Sequence, residues 1–168
     1  MYVRTEAETT LVLVVDALGH GAKAAEVAAR ALEIAEPASL ADGVLPIVKA
    51  LHEGLAGSRG ACALVGIVRP GALEVCSVGN VELRANGIDI PFVLTAGVLG
   101  SRLVRPRVVQ SVIDRDARLV LFSDGVSSRF HLPDFGLLSA KDACGAIFER
   151  HRRGHDDASL VVVDVGSK

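Results

Sequence analysis

The chain has 168 residues, half of them apolar but only 4% aromatic, with no tryptophan and a formal net charge of −2. This length predicts one domain, residues 1–168, with a core built mainly from Val, Leu, Ile and Ala. The near-neutral charge and the scarcity of aromatic rings argue against nucleic-acid binding, and no apolar run is long enough to cross a membrane.

The first half of the chain alternates one strand pattern with two helical ones. Residues 11–15 are continuously apolar, as in a strand covered on both faces. Apolar residues then recur at helical spacing over 22–36, where Pro37 follows, and a second helix is predicted over 44–55. Runs of strands beside runs of helices indicate an α+β fold.

The second half is mainly β-strand. Three short strands are predicted between residues 61 and 87, broken by glycine-containing turns and interpreted as a β-meander. Two further strands are predicted within 107–114 and 118–125, joined across Arg115-Asp116, and a helix over 140–152 leads to a closing strand. The scattered Cys62, Cys76 and Cys144 form no pairing motif, which is typical of core thiols in a reducing cytoplasm.

Acidic residues occur where predicted strands meet small residues. Asp16 follows "LVLVV", Asp124 follows "LVLFS", and Asp156 and Asp157 precede "SLVVV". Each motif alone is a common turn or cap. Together they predict carboxylates at one sheet edge, where mutual repulsion calls for a divalent cation; hard oxygen ligands favour magnesium or manganese.

The ordered motifs "DALGHG", "CSVGNVELR", "LFSDG" and "HDDASLVVV" resemble those of the PPM family of metal-dependent serine/threonine protein phosphatases. The resemblance extends from residue 11 to residue 163. Within the family, "SRGACA" and "CSVGN" resemble the compact SpoIIE-like bacterial branch that includes the stressosome phosphatase. This likeness implies a four-layer α-β-β-α sandwich of mainly antiparallel sheets, with a site for two manganese or magnesium ions.

The resemblance also assigns roles to individual residues. Asp16 matches the carboxylate that bridges the two metals, and the carbonyl of Ala17 faces the second metal. Asp124 and Asp156 match the other ligands of the first metal, and Asp157 orients a ligand or a water molecule. In this family the ions acidify a water molecule for in-line attack on phosphorus.

The "LGHG" loop beside Asp16 has its own expected roles. His20 protonates the leaving seryl or threonyl oxygen or orients a water molecule; the alternative is an ordinary helix-start residue. Gly19 and Gly21 allow the strand to turn sharply into the helix. A nucleotide-binding interpretation of this loop fails, because the third glycine and a Walker lysine are both missing.

Two positions depart from the family pattern. An acidic ligand on the preceding strand would lie before Met1, so either the chain begins inside its first strand or the second metal is weakly held. Glu6 and Glu8 are predicted to lie in a hairpin turn. Arg59 is expected to bind phosphate in place of the basic residue that larger relatives use. Asn80 stands where larger relatives have a metal-binding Asp, so it is assigned to the surroundings of the ligands or to a turn.

These observations predict a metal-dependent phosphoserine/phosphothreonine phosphatase. The resemblance implies phosphorylated STAS-domain proteins of the bacterial stressosome as substrates. The alternative hypothesis is a phosphoprotein-binding pseudophosphatase with an incomplete metal site.

Overall fold

The computed structural model describes residues 1–154 and 157–166. The strands are β1 (Tyr2–Glu6), β2 (Thr9–Ala17), β3 (Ala61–Arg69), β4 (Ala72–Val78), β5 (Glu82–Asn86), β6 (Leu94–Thr95), β7 (Gly97–Val98), β8 (Arg102–Leu103), β9 (Val108–Val112), β10 (Ala117–Phe122) and β11 (Leu160–Val165). The α-helices are α1 (Ala22–Ala35), α2 (Val44–Gly54) and α3 (Ala140–His151), and a 3₁₀ turn spans Leu132–Phe135.

The strands form two principal sheets. The larger sheet has the order β1-β2-β3-β4, and both β9 and the short β6 pair with β4. The smaller sheet has the order β11-β10-β5. Every pairing is antiparallel except β4 with β6, and β7 with β8 makes a separate two-stranded hairpin. This mainly antiparallel arrangement agrees with the predicted α+β class.

Strand β2 shows why the sheets stack face to face. Its side chains alternate between the two faces, so Leu11, Leu13 and Val15 lie on one face and Val12 and Val14 on the other. The first set packs beneath α1 and α2, whereas the second packs against the smaller sheet. Both faces are buried, which explains the continuous apolar run in the sequence.

Helices cover the two outer faces. The apolar faces of α1 and α2 pack on the larger sheet, while α3 and the 3₁₀ turn pack on the smaller sheet through residues such as Phe122 and Ile147. Between the sheets lies an apolar layer that includes Leu64, Leu119 and Leu121. The predicted four-layer α-β-β-α sandwich is therefore confirmed. No helix within the described residues is long and apolar enough to span a membrane.

The predicted β-meander is wrong beyond its first hairpin. Strands β3 and β4 pair directly, but the chain crosses to the other sheet at Gly79-Asn80, so β5 pairs with β10 instead of β4. Strands β9 and β10, joined across Arg115-Asp116, also belong to different sheets. The residues of these two turns are compatible with a hairpin and with a crossover between sheets, because each needs only a local change in chain direction.

The start of the chain forms the predicted hairpin. Tyr2 pairs with Leu13 and Glu6 pairs with Thr9, so Glu6 ends β1 and Glu8 lies in the turn between β1 and β2. Asp16 lies at the other end of β2, about 23 Å from Thr9 at about 3.3 Å per residue. The interpretation of Glu6 and Glu8 as hairpin residues is therefore confirmed.

Candidate metal centre

Asp16 lies at one end of the layer between the two sheets. It has the same alternation as Val12 and Val14, so its position is on the inner face of β2. It pairs directly with Cys62 on β3, and the Leu18 N–H donates to the Gly60 carbonyl at 3.0 Å just beyond. The half-buried Asp16 thus terminates an apolar strand where the sandwich opens to solvent.

Asp124 approaches the same end from the smaller sheet. It follows Ser123 at the end of β10, and its Oδ2 accepts a hydrogen bond of 2.6 Å from the side-chain amide of Asn80. Asn80 lies at the crossover between β4 and β5. The predicted association of Asn80 with the candidate ligands is therefore a direct contact that fixes one carboxylate oxygen of Asp124.

The thiol of Cys62 is influenced by both Asp16 and Asp124. Burial raises the pKa of the Cys62 thiol, and the Asn80 backbone N–H lowers it by donating a hydrogen bond to the sulfur. The negative charges of Asp16 and Asp124 both raise it further. Carboxylates from two sheets therefore act electrostatically on the same buried thiol, although they are far apart in sequence.

A cleft of about 540 Å³ opens at this end of the sandwich. Its lining includes Asp16 and Ala17 from the larger sheet, and Ser123 and Asp157 from the smaller one. The ends of β10 and β11 are held together because the Ser159 N–H donates to Ser123 Oγ at 3.0 Å. Asp157 is exposed at the cleft, whereas the predicted ligand Asp156, like His155, lies outside the described residues.

The loop from β2 to α1 forms another wall. Gly19 and Gly21 have φ angles of 88° and 77°, a left-handed region that favours glycine, as expected for a sharp turn. Arg59 lies over this loop, because a Cβ placed on Gly19 would be 2.5 Å from Arg59 Nη1. His20 is exposed on the same loop and makes no hydrogen bond or ion pair with the described residues.

No protein-family model and no curated protein matches the sequence, whereas many solved structures match the fold. A structure from work on the bacterial stressosome, a modular system adapted to control secondary messenger signalling, has a TM-score of 0.87 at 26% identity. The match covers 98% of this chain and 88% of that one. RsbX in complex with magnesium has a TM-score of 0.83 at 17% identity, covering 99% and 85%.

A third match is the catalytic domain of the serine/threonine phosphatase PstP in complex with two manganese ions. Its TM-score is 0.69 at 15% identity, and the match covers 99% of this chain and 91% of that one. This chain has the PPM phosphatase fold. The agreement extends over nearly its whole length, in RsbX and in two serine/threonine phosphatases.

The donors in the PPM-type cleft suit a hard divalent cation. Carboxylate and carbonyl oxygens are the ligands that magnesium and manganese prefer. Asp124 has a neutral amide as its partner, and neither Asp124 nor Asp157 forms an ion pair with residues 1–154 or 157–166. Within those ranges no three acidic, histidine or cysteine side chains cluster tightly enough to hold a metal, and the predicted third carboxylate, Asp156, falls outside them.

The structure also brings residues to the cleft that the sequence did not single out. Arg152 and Phe148 from the end of α3 contribute to its lining, and Ser123 bridges two strand ends. Ser123 is part of the "SDG" motif, so its position was available from the sequence. The approach of α3 carries no such signal, since it depends on how the helix packs on the smaller sheet.

Proposed function

We propose that this protein is a manganese- or magnesium-dependent phosphoserine/phosphothreonine protein phosphatase. The observation that supports the proposal is a chain of contacts between the two sheets at the open end of the sandwich. Asp16 pairs with Cys62, Cys62 packs against Gly79, and the neighbouring Asn80 donates to Asp124. The PPM phosphatase fold supports the same activity, because RsbX and PstP are phosphatase-fold neighbours with magnesium and manganese bound.

Four groups are assigned to holding the ions. Asp16 would be shared by both ions, the Ala17 carbonyl would serve the second, and Asp124 and Asp156 would serve the first. Bound there, the ions would supply an acidified nucleophilic water and neutralise the charge of the phosphate. The chain itself fixes Asp124 through Asn80 and leaves the cleft open to a phosphoprotein segment.

The remaining roles follow from position. Arg59, at the loop carrying Gly19, is assigned to binding the phosphate through a bidentate contact. The exposed His20 on the same loop is assigned to protonating the leaving oxygen. Asp157, at the cleft wall, is assigned to orienting a water molecule or a ligand.

The substrates we propose are phosphorylated STAS-domain proteins of a bacterial stressosome. The stressosome structure and RsbX among the structural neighbours support this choice. The cleft at the candidate metal centre is open, which suits a segment presented on the surface of a folded partner better than a small enclosed ligand.

The activity is tested with p-nitrophenyl phosphate and a phosphoserine protein in the presence of manganese. We expect the chelator EDTA, Asp16→Asn and Asp124→Asn each to lower kcat/KM at least about 100-fold, because each removes charge at the site of phosphoryl transfer. Asp114→Asn is the matched control, since Asp114 is exposed and pairs with Arg115 in the connection between β9 and β10. Equal rates with EDTA, or full activity in the Asp16 and Asp124 variants, would refute the proposal.

A binding-only function is the second candidate. Calorimetry with manganese separates the two hypotheses. Two sites accompanied by turnover support the phosphatase, whereas no site, or one weak site, with phosphoprotein binding but no turnover supports the pseudophosphatase.

A further inference from the structure

A basic arm borders the candidate metal centre. We define the arm as residues 93–107, which contain β6, β7 and β8. It carries three arginines, Arg102, Arg105 and Arg107, all exposed. No acidic residue occurs between Asp89 and Asp114, although the whole chain has a formal net charge of −2. The arm is therefore a local region of positive charge on a slightly acidic protein.

Two backbone anchors place the arm beside the centre. At one end, the Gly79 N–H donates to the Thr95 carbonyl at 2.9 Å, and the next residue, Asn80, holds Asp124. In the middle of the arm, Leu99 and Ala61 exchange backbone hydrogen bonds of 2.8 and 3.1 Å. Ala61 precedes Cys62, the partner of Asp16, so residues 95–99 of the arm are anchored to backbone next to both carboxylates, and the three arginines follow this anchored stretch.

The arm is held in one conformation by bonds along its length. Val98 pairs with Arg102 in the β7–β8 hairpin, and the Arg107 N–H donates to Thr95 Oγ1 at 2.9 Å. At the hairpin turn, the Gly100 N–H donates to His52 Nδ1 of α2 at 3.1 Å. A surface ordered before a partner arrives loses less conformational entropy on binding.

The side chains of the arm are available for a partner. Among the described residues, none forms an ion pair or hydrogen bond with the guanidinium groups of the three arginines. Val93, Leu94 and Val104 are also exposed, at 37%, 46% and 46%. Arginine next to exposed apolar side chains is typical of protein interfaces, where the guanidinium binds carboxylates in a bidentate manner.

We propose that the arm is the docking surface for an acidic segment of the phosphoprotein substrate. This inference rests on the proposed phosphatase function. The arginines bind carboxylates that flank the phosphorylated residue, while Val93 and Leu94 contact an apolar side chain of the same segment.

The charge distribution explains why the arm is needed. Without bound ions, Asp16 and Asp124 make the centre itself acidic, so an attraction for flanking carboxylates has to come from outside the centre. The exposed arginines that follow the anchored stretch supply positive charge, which attracts negative charge before the phosphate reaches the cleft. The effect of these rim charges is expected to weaken as the salt concentration rises.

The test compares three fluorescein-labelled phosphoserine peptides of equal length, whose flanking residues are glutamate, glutamine or lysine. Hydrolysis in manganese gives kcat/KM, and fluorescence anisotropy gives the Kd without turnover. The arm variant is Arg102→Gln combined with Arg105→Gln. The control variant is Arg30→Gln combined with Arg115→Gln, which removes two exposed arginines from α1 and the β9–β10 connection.

We expect the wild type to bind the glutamate peptide about tenfold more tightly than the glutamine peptide at low salt. The arm variant should lose this preference, whereas the control variant and the hydrolysis of p-nitrophenyl phosphate should be unchanged. A preference that persists in the arm variant, or a wild type that favours the lysine peptide, would overturn the proposal. Arm-dependent binding of a single-stranded RNA oligonucleotide without binding of the glutamate peptide would also overturn it.

The two proposals fail in different ways. If p-nitrophenyl phosphate is not hydrolysed with manganese, the phosphatase function is refuted, but the anisotropy measurement still tests the arm. If p-nitrophenyl phosphate is hydrolysed and the glutamate preference is absent, the phosphatase function stands and the docking surface is refuted.

Discussion

Asn80→Ala tests whether the amide positions a metal ligand. The Asn80 side chain donates to Asp124 Oδ2 at 2.6 Å, a short bond to a charged acceptor. Hydrogen bonds to charged groups contribute about 1.5–3 kcal/mol, and the exposure of Asn80 selects the lower end of this range. A loss of about 1.4 kcal/mol corresponds to about tenfold, which agrees with the roughly 10–100-fold effects of residues that orient metal ligands.

The assay is a manganese titration of p-nitrophenyl phosphate hydrolysis. We expect Asn80→Ala to raise the manganese concentration for half-maximal activity about tenfold while leaving kcat at saturating manganese within about threefold, because Asp124 remains present but less well oriented. Asn86→Ala, at the far end of β5, is the matched control. An unchanged manganese requirement in Asn80→Ala would refute the positioning role, as would a loss of kcat that excess manganese does not restore.

Three further predictions concern stability and reactivity. Arg118→Met should lower the free energy of unfolding at pH 7 by about 2 kcal/mol, measured by urea denaturation. Arg118 is buried and donates to the half-exposed carboxylate of Asp164 at 2.6 and 2.7 Å and to the carbonyls of Phe135 and Leu138. The hydrogen bond from Arg118 lowers the pKa of Asp164 below its ordinary 3.8, so this stabilisation is present above that pH and is lost as the pH falls through the lower folded pKa; equal pH dependence in wild type and variant would contradict it. Gly125→Ala should cost about 2 kcal/mol in the same assay and reduce turnover, since its Cβ would lie 2.2 Å from the Asp157 carbonyl; wild-type stability would show that the loops separate freely. Burial raises the pKa of the Cys76 thiol from 9.0 to about 11, which lowers its thiolate fraction at pH 8 about 100-fold. In native protein this cysteine should therefore react with DTNB at least about 100-fold more slowly than in urea, and a fast native reaction would contradict its burial.

The helices were predictable because their local signals agree with their packing. The expected helices over 22–36 and 140–152 are observed as Ala22–Ala35 and Ala140–His151. Apolar residues at helical spacing mark the buried face of α1, and Pro37 follows its end. At α3, Ser139 Oγ accepts a hydrogen bond from the Asp142 N–H, a start signal that depends only on neighbouring residues.

The partition of strands between sheets was not predictable by the same means. Strands β4 and β5 are separated by a short glycine-containing turn, as hairpin strands are, yet they lie in different sheets. The choice depends on long-range pairing with β3 and β10, which local turn chemistry does not encode. The short strands β6, β7 and β8 were missed for a related reason, since each has two residues and their conformation depends on anchors at Gly79 and Ala61.

The part of the candidate site that could be predicted is the position of its acidic residues at the ends of apolar strands. Asp16 lies near the end of apolar β2 and Asp124 follows apolar β10, while their joint role in holding a metal stays a prediction. The contact from Asn80 to Asp124 was not predictable in detail, because it depends on the crossover that the meander interpretation excluded. The assignments of metal-binding, catalytic and phosphate-binding roles stay predictions for the experiments above.

The division of the centre between two sheets links its chemistry to the integrity of the fold. Asp16 ends an inner-facing row of β2, and Asp124 ends β10 on the opposite side of the same apolar layer. Neither sheet alone holds both carboxylates, so their spacing is set by the packing of residues such as Leu64 and Leu121 between the sheets. The interior of a protein is close-packed and resists small displacements, which suits a site that must hold like charges near one another. A sandwich whose sheets meet through a continuous apolar layer can therefore place repelling groups at its edge, because the cost of that repulsion is distributed over the whole interface.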